Sequence, residues 1–228
     1  MAGPERAAIE LLGASIDAGA TVVAIGPYTN LAQLEAGRPG GLAQASVVLM
    51  GGWIAAARSG LPLWGPDMDC NVQCDTRAAG TVFTAAGELT LVTLTATLDA
   101  HLRERDLDRL QANRPLGQLL ARQAQTHGAE HRMNALGRAH AELPDDLLNF
   151  QYDVVACAVA AGMPVATFAP QRLVPRRDGA MMRFEERPDG RDVRVSTSVD
   201  GDRLNDLWLA AVEMAGDDAP GRACPGVP

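Results

Sequence analysis

The sequence contains no lysine, so its 20 basic side chains are all arginine. Acidic side chains outnumber them, and the net charge at pH 7 is −8. A surface with this charge balance does not attract the phosphates of nucleic acids or the headgroups of anionic membranes. We therefore expect neither a nucleic-acid partner nor a membrane partner, and the charge suits a neutral or cationic ligand better.

Cysteine is scarce, with four residues among 228. Cys70 and Cys74 are four positions apart, but no second close pair and no nearby histidine completes a zinc pattern. We interpret the thiols as incidental side chains in a reducing compartment. The sequence also has no apolar run of membrane-spanning length, and its first residues lack a signal-peptide pattern. These absences predict a soluble, cytoplasmic protein.

Several catalytic signatures are missing as well. The sequence has no Gly-x-Ser-x-Gly nucleophile elbow, no phosphate-binding loop and no dinucleotide-binding glycine fingerprint. His127 and His131 are four positions apart and could share one face of a helix, but they do not form a metalloprotease motif. An ordinary helix or surface role is the favoured interpretation of this pair, and a metal site is the alternative.

The remaining pattern is that of an α/β domain. Hydrophobic residues make up 47% of the sequence, enough for a substantial core. Buried strands are predicted at 21–25, 45–50, 89–94 and 165–168, and helices at 7–18, 30–35, 76–86, 102–110, 115–140, 153–161 and 204–214. Because the first three strands alternate with helices, we expect right-handed crossovers and a Rossmann-like, mostly parallel sheet flanked by helices.

The last part of the sequence carries a different signal. Strands are predicted at 181–186 and 193–199, and Pro-Asp-Gly at 188–190 is typical of the turn of a late β-hairpin. A C-terminal amphipathic helix follows, after which Asp, Pro and Gly dominate. We therefore expect one domain over 1–215 and a disordered tail over 216–228.

Polar residues follow two of the predicted strands, where a parallel sheet presents its ligands. The turn from Ile25 to Asn30 exposes backbone groups at the end of the first strand, although a plain Gly-Pro turn with an Asn helix cap is the simpler interpretation. Asp69 and Asn71 follow the second strand after a long loop, and in an extended chain two such residues point the same way. A carboxylate beside an amide can hold sugar hydroxyls, and a solvated Asx turn is the alternative.

The third polar place is Tyr152-Asp153, at the start of a predicted helix of small apolar residues. The helix dipole and the free backbone amides favour a carboxylate there. Such a carboxylate could be one ligand of a hard cation such as Ca²⁺, which binds several oxygens. An ordinary helix N-cap is the favoured interpretation from spacing alone.

Taken together, these places resemble one enzyme family. Residues 24–32, Ala-Ile-Gly-Pro-Tyr-Thr-Asn-Leu-Ala, and residues 48–52, Val-Leu-Met-Gly-Gly, resemble two motifs of the nucleoside hydrolases, the inosine-uridine preferring N-ribohydrolases. Weaker similarities at 69–71 and 152–154 follow in the family's order, and the resemblance runs from about residue 7 to 209. It implies a Rossmann-like fold that binds Ca²⁺ and hydrolyses the N-glycosidic bond of ribonucleosides to ribose and free base.

The resemblance also implies roles for individual residues. The backbone carbonyl of Ile25 and the side chain of Asp153 would bind Ca²⁺, and Asp153 would also touch the ribose. Met50 would pack beside the ribose, while Asp69 and Asn71 would hold its hydroxyls. The metal would lower the pKa of a bound water, which attacks the sugar.

The sequence departs from the family in several respects, one of which is the absence of the family's Asp at the Thr95 position. The family's Asp-x-Asp-x-Gly-x-Asp-Asp motif, which supplies the general base and most metal carboxylates, is absent. Asp69 is one methylene shorter than the family's glutamate. Tyr152 replaces a histidine that assists the departing base in some members, and a neutral tyrosine could still contact that base. We therefore expect a chain that lacks the family's first βα units and is impaired in catalysis on its own.

Three explanations fit the missing motif: a truncated or mis-started product, a partner chain that supplies the missing N-terminal segment, or a degenerate homologue. The last of these gives the alternative function, a non-catalytic nucleoside- or sugar-binding protein or the interaction subunit of a split assembly. In each case the expected ligand is a ribonucleoside. Exposed sheet edges also predict a homo-oligomer or a complex with such a partner chain.

Overall fold

The computed structural model describes residues 4–113 and 115–217. The first elements are α1 (Pro4–Asp17), β1 (Val22–Ala24), α2 (Thr29–Gly37), β2 (Ser46–Met50), α3 (Cys70–Gln73), α4 (Thr76–Ala85), β3 (Glu88–Val92), α5 (Leu94–Thr97) and β4 (His101–Arg103). They are followed by α6 (Leu107–Ala112), α7 (Leu116–Glu130), α8 (Met133–Ala139), β5 (Leu147–Phe150), α9 (Tyr152–Ala160), β6 (Ala166–Asp178), β7 (Met181–Glu186), β8 (Arg191–Val199) and α10 (Gly201–Asp217). The described residues form two compact units, one up to residue 99 with 152–199, the other 100–151 with the residues from 200 onward.

The first unit is organised around a six-stranded sheet with the strand order β1-β2-β3-β8-β6-β7. β1, β2, β3 and β8 pair in parallel, and β6 runs antiparallel to both β8 and β7. α1 packs on α2 and α2 on α4, while α9 packs on β1 and β2. The mostly parallel sheet flanked by helices, which the alternation of strands and helices predicts, is confirmed.

The main core of the first unit lies between this sheet and α1, α2 and α4. Leu49 of β2 and Leu91 of β3 are partners in register and are fully buried, and Phe83 of α4 belongs to the same cluster. Each buried side chain of this size contributes roughly 1.5–3 kcal/mol. β3 and β8 are joined just beyond their paired residues as well, where the amide of Thr93 donates to the hydroxyl of Ser196 at 2.9 Å. This packing fixes the positions of the strand ends.

The late antiparallel hairpin is confirmed, but its partner strands differ from those predicted. β7 pairs with β6 across a turn at Gly179, which has a φ of 60°, while β8 pairs with the other side of β6. β7 and β8 are therefore not neighbours. Pro-Asp-Gly at 188–190 connects two strands that β6 separates, and it is not the turn of the hairpin.

The reason for this difference is the length of β6. The sequence predicts a strand at 165–168, whereas β6 extends over 13 residues and contains Pro170 and Pro175. Proline lacks the N–H group of a strand ladder and therefore marks a probable strand end in a sequence. Here both prolines lie within the paired region of β6. The strand predicted from the sequence therefore ends at residue 168, ten residues before the end of β6.

The second unit contains the antiparallel pair β4 and β5 with α6, α7, α8 and α10. Its core cluster includes Leu102, Leu110, Ala121, Leu148 and Leu209. This arrangement gives the unit a small apolar centre of its own, built mainly from helices.

Two helix predictions in the second unit are wrong in part. The helix predicted at 102–110 begins instead as β4, continues as a 3-10 turn and becomes helical only in α6. The continuous helix predicted at 115–140 is broken at Arg132, which has a φ of 51° and separates α7 from α8. No glycine or proline stands at this break, so periodicity alone could not reveal it.

The predicted C-terminal helix is confirmed as α10. The disordered tail predicted for 216–228 stays a prediction, because 218–228 lie outside the described residues. The single domain predicted over 1–215 also stays a prediction. Among the helices of the described ranges, none combines the length and apolar character needed to cross a membrane.

Gly87 provides a test of the packing between the start of β3 and the loop before β2. Its amide donates to the carbonyl of Leu42 at 2.9 Å, and an added Cβ would overlap the carbonyl oxygen of Ala43. We expect Gly87→Ala to lower the free energy of unfolding by about 1–3 kcal/mol, because backbone atoms would have to move. Gly37→Ala, at the end of α2 with open space at its Cβ, is the matched control and should not destabilise. Urea denaturation of both variants measures the difference, and equal stabilities would contradict this packing.

Candidate active site

β1 and β2 run in register, so Ile25 and Met50 lie side by side at the carboxyl edge of the parallel sheet. This edge is where open α/β sheets bind ligands. Gly51 and Gly52 then turn the chain with φ angles of 138° and 100°, a region that residues with side chains rarely adopt. An added Cβ at Gly51 would lie 2.6 Å from the hydroxyl of Tyr28. The Met-Gly-Gly motif is therefore required by both the backbone conformation and the space around it.

Two side chains hold this turn through the carbonyl of Met50. The Tyr28 hydroxyl donates a hydrogen bond of 2.9 Å to it, and the side-chain amide of Asn71 donates one of 3.1 Å. Tyr28 is 1% exposed, and burial together with the nearby charge of Asp69 raises the pKa of Tyr28 well above its usual value. The phenol therefore stays neutral and keeps the proton that it donates.

Asp69 fixes the same turn from its other side. Its side chain is 2% exposed and accepts a hydrogen bond of 2.6 Å from the amide of Gly52. Burial raises the pKa of Asp69 to about 6, although hydrogen bonds from the amides of Gly52, Val72 and Trp53 oppose the rise. The cost of desolvating the charged carboxylate thus outweighs the three bonds that stabilise it.

The sequence predicts that Asp69 and Asn71 point the same way along an extended chain, and this local geometry is wrong. Asp69 precedes α3, and Asn71 lies in the first turn of that helix. The short helix nevertheless brings both side chains to the turn that Met50 begins, where Asn71 also lies 3.4 Å from the Met50 sulfur. Their predicted role of holding sugar hydroxyls stays a prediction.

Tyr152 and Asp153 form the start of α9, which packs against β1 and β2. Tyr152 lies close enough to Cys70 to interact with it electrostatically. Burial, with a smaller contribution from Cys70, raises the pKa of Tyr152, so this phenol is also neutral. Burial raises the pKa of the partly exposed Asp153 as well. The start of α9 therefore belongs to the carboxyl edge that carries Ile25 and Asn71.

The turn after β1 does not use Asn30 as a helix cap. α2 begins at Thr29, and the preceding Tyr28 makes no side-chain cap hydrogen bond. Thr29 instead donates to Asp75 at 2.7 Å, and Asp75 accepts the amide of Ala78 at 2.9 Å. Asp75 is thereby the N-cap of α4.

The described residues do not fit a calcium ion. Ile25 offers one backbone carbonyl and Asp153 one carboxylate, whereas Ca²⁺ binds six to eight oxygens. Asp69 already accepts a backbone amide. Within the described ranges, no group of three or more His, Cys, Asp or Glu side chains is placed to hold a metal. The calcium ligand set implied by the resemblance is therefore incomplete in this part of the chain.

Tyr28 is the site residue that the sequence did not single out. A tyrosine beside a Gly-Pro turn, directly after a buried strand, is chemically suited to anchor a neighbouring strand end. Its partner carbonyl, however, is 22 positions away in the sequence. No spacing rule connects two such positions, so only the fold identifies the pair.

Asp69→Asn tests the buried carboxyl. Because the pKa of Asp69 is about 6 in the folded chain and 3.8 in an unfolded one, the folded chain retains this proton where the unfolded chain has lost it. The contribution of Asp69 to stability is therefore greatest below pH 4 and falls as the pH rises toward 6. We expect the wild type to lose about 2 kcal/mol relative to Asp69→Asn between pH 4 and pH 7. Urea denaturation at both pH values measures this change, and a constant difference would show that Asp69 is an ordinary ionised carboxylate.

Tyr28→Phe tests the anchor on the Met50 carbonyl. The change removes only the hydroxyl, and Asn71 still donates to the same oxygen, so that no buried acceptor is left unpaired. We expect the free energy of unfolding to fall by about 1 kcal/mol, the usual net value of one hydrogen bond. Thermal or urea denaturation at neutral pH measures it, and unchanged stability would show that this bond contributes nothing.

Comparisons with known proteins identify relatives of this chain. The family described as inosine-uridine preferring nucleoside hydrolase matches residues 2–206. The pyrimidine-specific ribonucleoside hydrolase RihA of Shewanella woodyi is 34% identical over 121 residues, which cover 50% of this chain and 36% of that protein. The chain thus matches only about a third of the length of this curated relative.

Solved structures are similar over nearly the whole chain. The plant nucleoside hydrolase PpNRh1 superposes with a TM-score of 0.68 and 20% identity, covering 93% of this chain and 67% of that one. A purine-preferring ribonucleoside hydrolase from Gardnerella vaginalis gives 0.71 and 17%, covering 92% and 66%. At these identities the likeness shows a shared fold, and the chain spans about two thirds of these solved proteins. Since the family match extends over most of the sequence, this chain belongs to the inosine-uridine preferring nucleoside hydrolase family.

Proposed function

We propose that this chain binds a ribonucleoside at the carboxyl edge of β1 and β2 and serves the hydrolysis of its N-glycosidic bond to ribose and free base. The main support is the common location of residues from four separate segments. Ile25, Met50, Asn71 and the start of α9 lie at one edge of one sheet, although they are up to 127 positions apart if counted from Ile25 to Tyr152. Family membership makes a ribonucleoside the natural ligand of such an edge.

The sugar would contact Asn71 and Asp153. The amide of Asn71 donates to the Met50 carbonyl and keeps a carbonyl oxygen that can accept a hydrogen bond from a ribose hydroxyl. Asp153 would accept hydrogen bonds from the other hydroxyls as a carboxylate. Met50, although 5% exposed, would pack beside the sugar through its thioether. Asp69 would act mainly through the turn that it holds, as a positioning residue.

Tyr152 would contact the base. Because burial raises the pKa of Tyr152, the phenol holds its proton throughout the physiological range. It can therefore donate a hydrogen bond to a ring nitrogen or stack on the base, but it cannot act as a proton acceptor. Because its pKa is raised, the phenol is also a weak acid and therefore a poor proton donor to a departing base. We assign it to binding and orientation of the leaving group.

The chemical step requires negative charge near the anomeric carbon, because the sugar becomes oxocarbenium-like as the bond breaks. Asp153 is suited to supply that charge. Activation of the attacking water needs a general base or a complete calcium site, and the described residues contain no group of three or more His, Cys, Asp or Glu side chains that could hold a metal. We therefore propose that the chain alone is impaired in hydrolysis. Further oxygen ligands would come from a partner chain or from another copy in a homo-oligomer.

The lack of a complete calcium site among the described residues also favours a second function, which is ribonucleoside binding without hydrolysis. The two proposals share the ligand and the binding residues, and they differ only in whether the N-glycosidic bond is cleaved. A reducing-sugar assay therefore separates them, while a binding measurement tests what they have in common.

Calorimetric titration of the chain with inosine and with uridine tests the shared part. We expect at least one nucleoside to bind, and expect Asn71→Ala and Asp153→Asn each to weaken that binding about tenfold, the value of one or two lost polar contacts. Matched controls are Asn134→Ala in the first turn of α8 and Asp108→Asn in the first turn of α6, which should leave binding unchanged. The absence of binding to both nucleosides, or an equal loss in the controls, would refute the site.

The reducing-sugar assay is run on the same protein with added Ca²⁺ and with a chelator. We expect ribose release far below the roughly 1–1000 per second of ordinary enzymes, and no effect of either addition. Turnover at an ordinary rate that the chelator abolishes would show that a calcium site forms after all. That result would overturn the proposed impairment but not the proposed binding site.

A further inference from the structure

His127 and His131 form a close pair on the surface of the second unit. The amide of His131 donates to the carbonyl of His127 at 3.0 Å, so the helical turn of α7 continues through both residues. Their ring centroids are 4.4 Å apart, with 39° between the ring planes. His131 is exposed, and His127 is half-buried. Two imidazoles are thus held on one face of one helix, four positions apart.

The distance between the two ring centroids can be compared with the distance expected when both rings bind one metal ion. A metal bound about 2.0–2.1 Å from a ring nitrogen lies about 3.2 Å from the centroid of that ring. Two rings that meet at such a metal at a right angle have centroids about 4.5 Å apart, and at a tetrahedral angle about 5.2 Å. The observed 4.4 Å is close to the separation for the right angle, which square-planar and octahedral metals prefer, and it is shorter than the separation for the tetrahedral angle.

The protonation state also suits a metal ligand. Burial lowers the pKa of His127, the neighbouring His131 lowers it further, and Glu130 opposes this effect. Neutral imidazole, the form that binds metals, is therefore favoured at neutral pH. A groove of about 380 Å³ runs along the same helix and is lined by His127, Glu130 and Arg122 among others. It has room for the water molecules that complete a coordination sphere.

We propose that His127 and His131 form a two-imidazole binding site for a divalent late transition metal, Ni²⁺ or Cu²⁺. Water occupies the other coordination positions, since no third His, Cys, Asp or Glu in the described ranges joins the pair. The site lies on α7 and uses none of the residues assigned to the nucleoside. It is therefore independent of the proposed hydrolase function.

Titration with NiCl₂ tests the site by calorimetry. Exposed cysteines also bind nickel, so the thiols are first alkylated with iodoacetamide. We expect one Ni²⁺ per chain, and expect His127→Ala and His131→Ala each to weaken binding at least tenfold, because each leaves a single imidazole. Alanine favours helix at position 127, while His131 lies just after the end of α7, and circular dichroism verifies that both variants fold. Copper titration followed by electron paramagnetic resonance should show two nitrogen ligands in the wild type and one in either variant.

His140→Ala is the matched control. His140 follows α8 and has one ring nitrogen 3.0 Å from the carbonyl of Leu136. We expect its replacement to change nickel affinity less than twofold. Failure of the wild type to bind Ni²⁺, equal affinity in the wild type and His127→Ala, or a comparable loss in His140→Ala would each overturn the site.

Discussion

The buried carboxyl of Asp69 holds the turn at which β2 ends, and the rest of the carboxyl edge is arranged around that turn. The backbone amide of Gly52 donates a hydrogen bond to this carboxyl on one side of the turn. On the other side, Tyr28 and Asn71 donate hydrogen bonds to the carbonyl of Met50. A carboxyl with 2% exposure is expensive to ionise, so its position requires the backbone amides that surround it. These amides come from the loop after β2 and from α3, which the carboxyl thereby links.

The polar residues of this edge differ in what they contact. In a ligand site, a buried acid often touches the ligand, but Asp69 is bonded to the main chain. The exposed residues at the edge include Asp153, at the start of α9, and Ile25. Under the proposed function, Asp69 supports the turn alone, whereas Asn71 both supports it and contacts the sugar. The described residues therefore hold the shape of this edge through their own hydrogen bonds, without a complete calcium ligand set among them.

Much of the fold was predictable because its signals are local. The apolar runs of β2 and β3 and the Asp75 cap of α4 each need only a short window of sequence. The pairing of β6 with β7 was not predictable, since Pro170 hides the continuity of the strand. In the site, the Met-Gly-Gly turn is visible in the sequence, but the helical placement of Asn71 and the bond from Tyr28 depend on tertiary packing. Rules based on residue spacing assume a regular helix or strand, whereas the residues of this edge lie in turns and a short helix at the strand ends.

The pairing of β3 with β8 also affects how the protein is made. Thr93 and Ser196, whose hydrogen bond continues this pairing, are 103 positions apart in the sequence. At about 5–20 residues per second, a ribosome needs roughly 5–20 s to add that length of chain. During this interval β1, β2 and β3 are already available, while one side of β3 has no neighbour. The nascent chain therefore passes through a stage with an open apolar strand, at which molecular chaperones would be most useful to it.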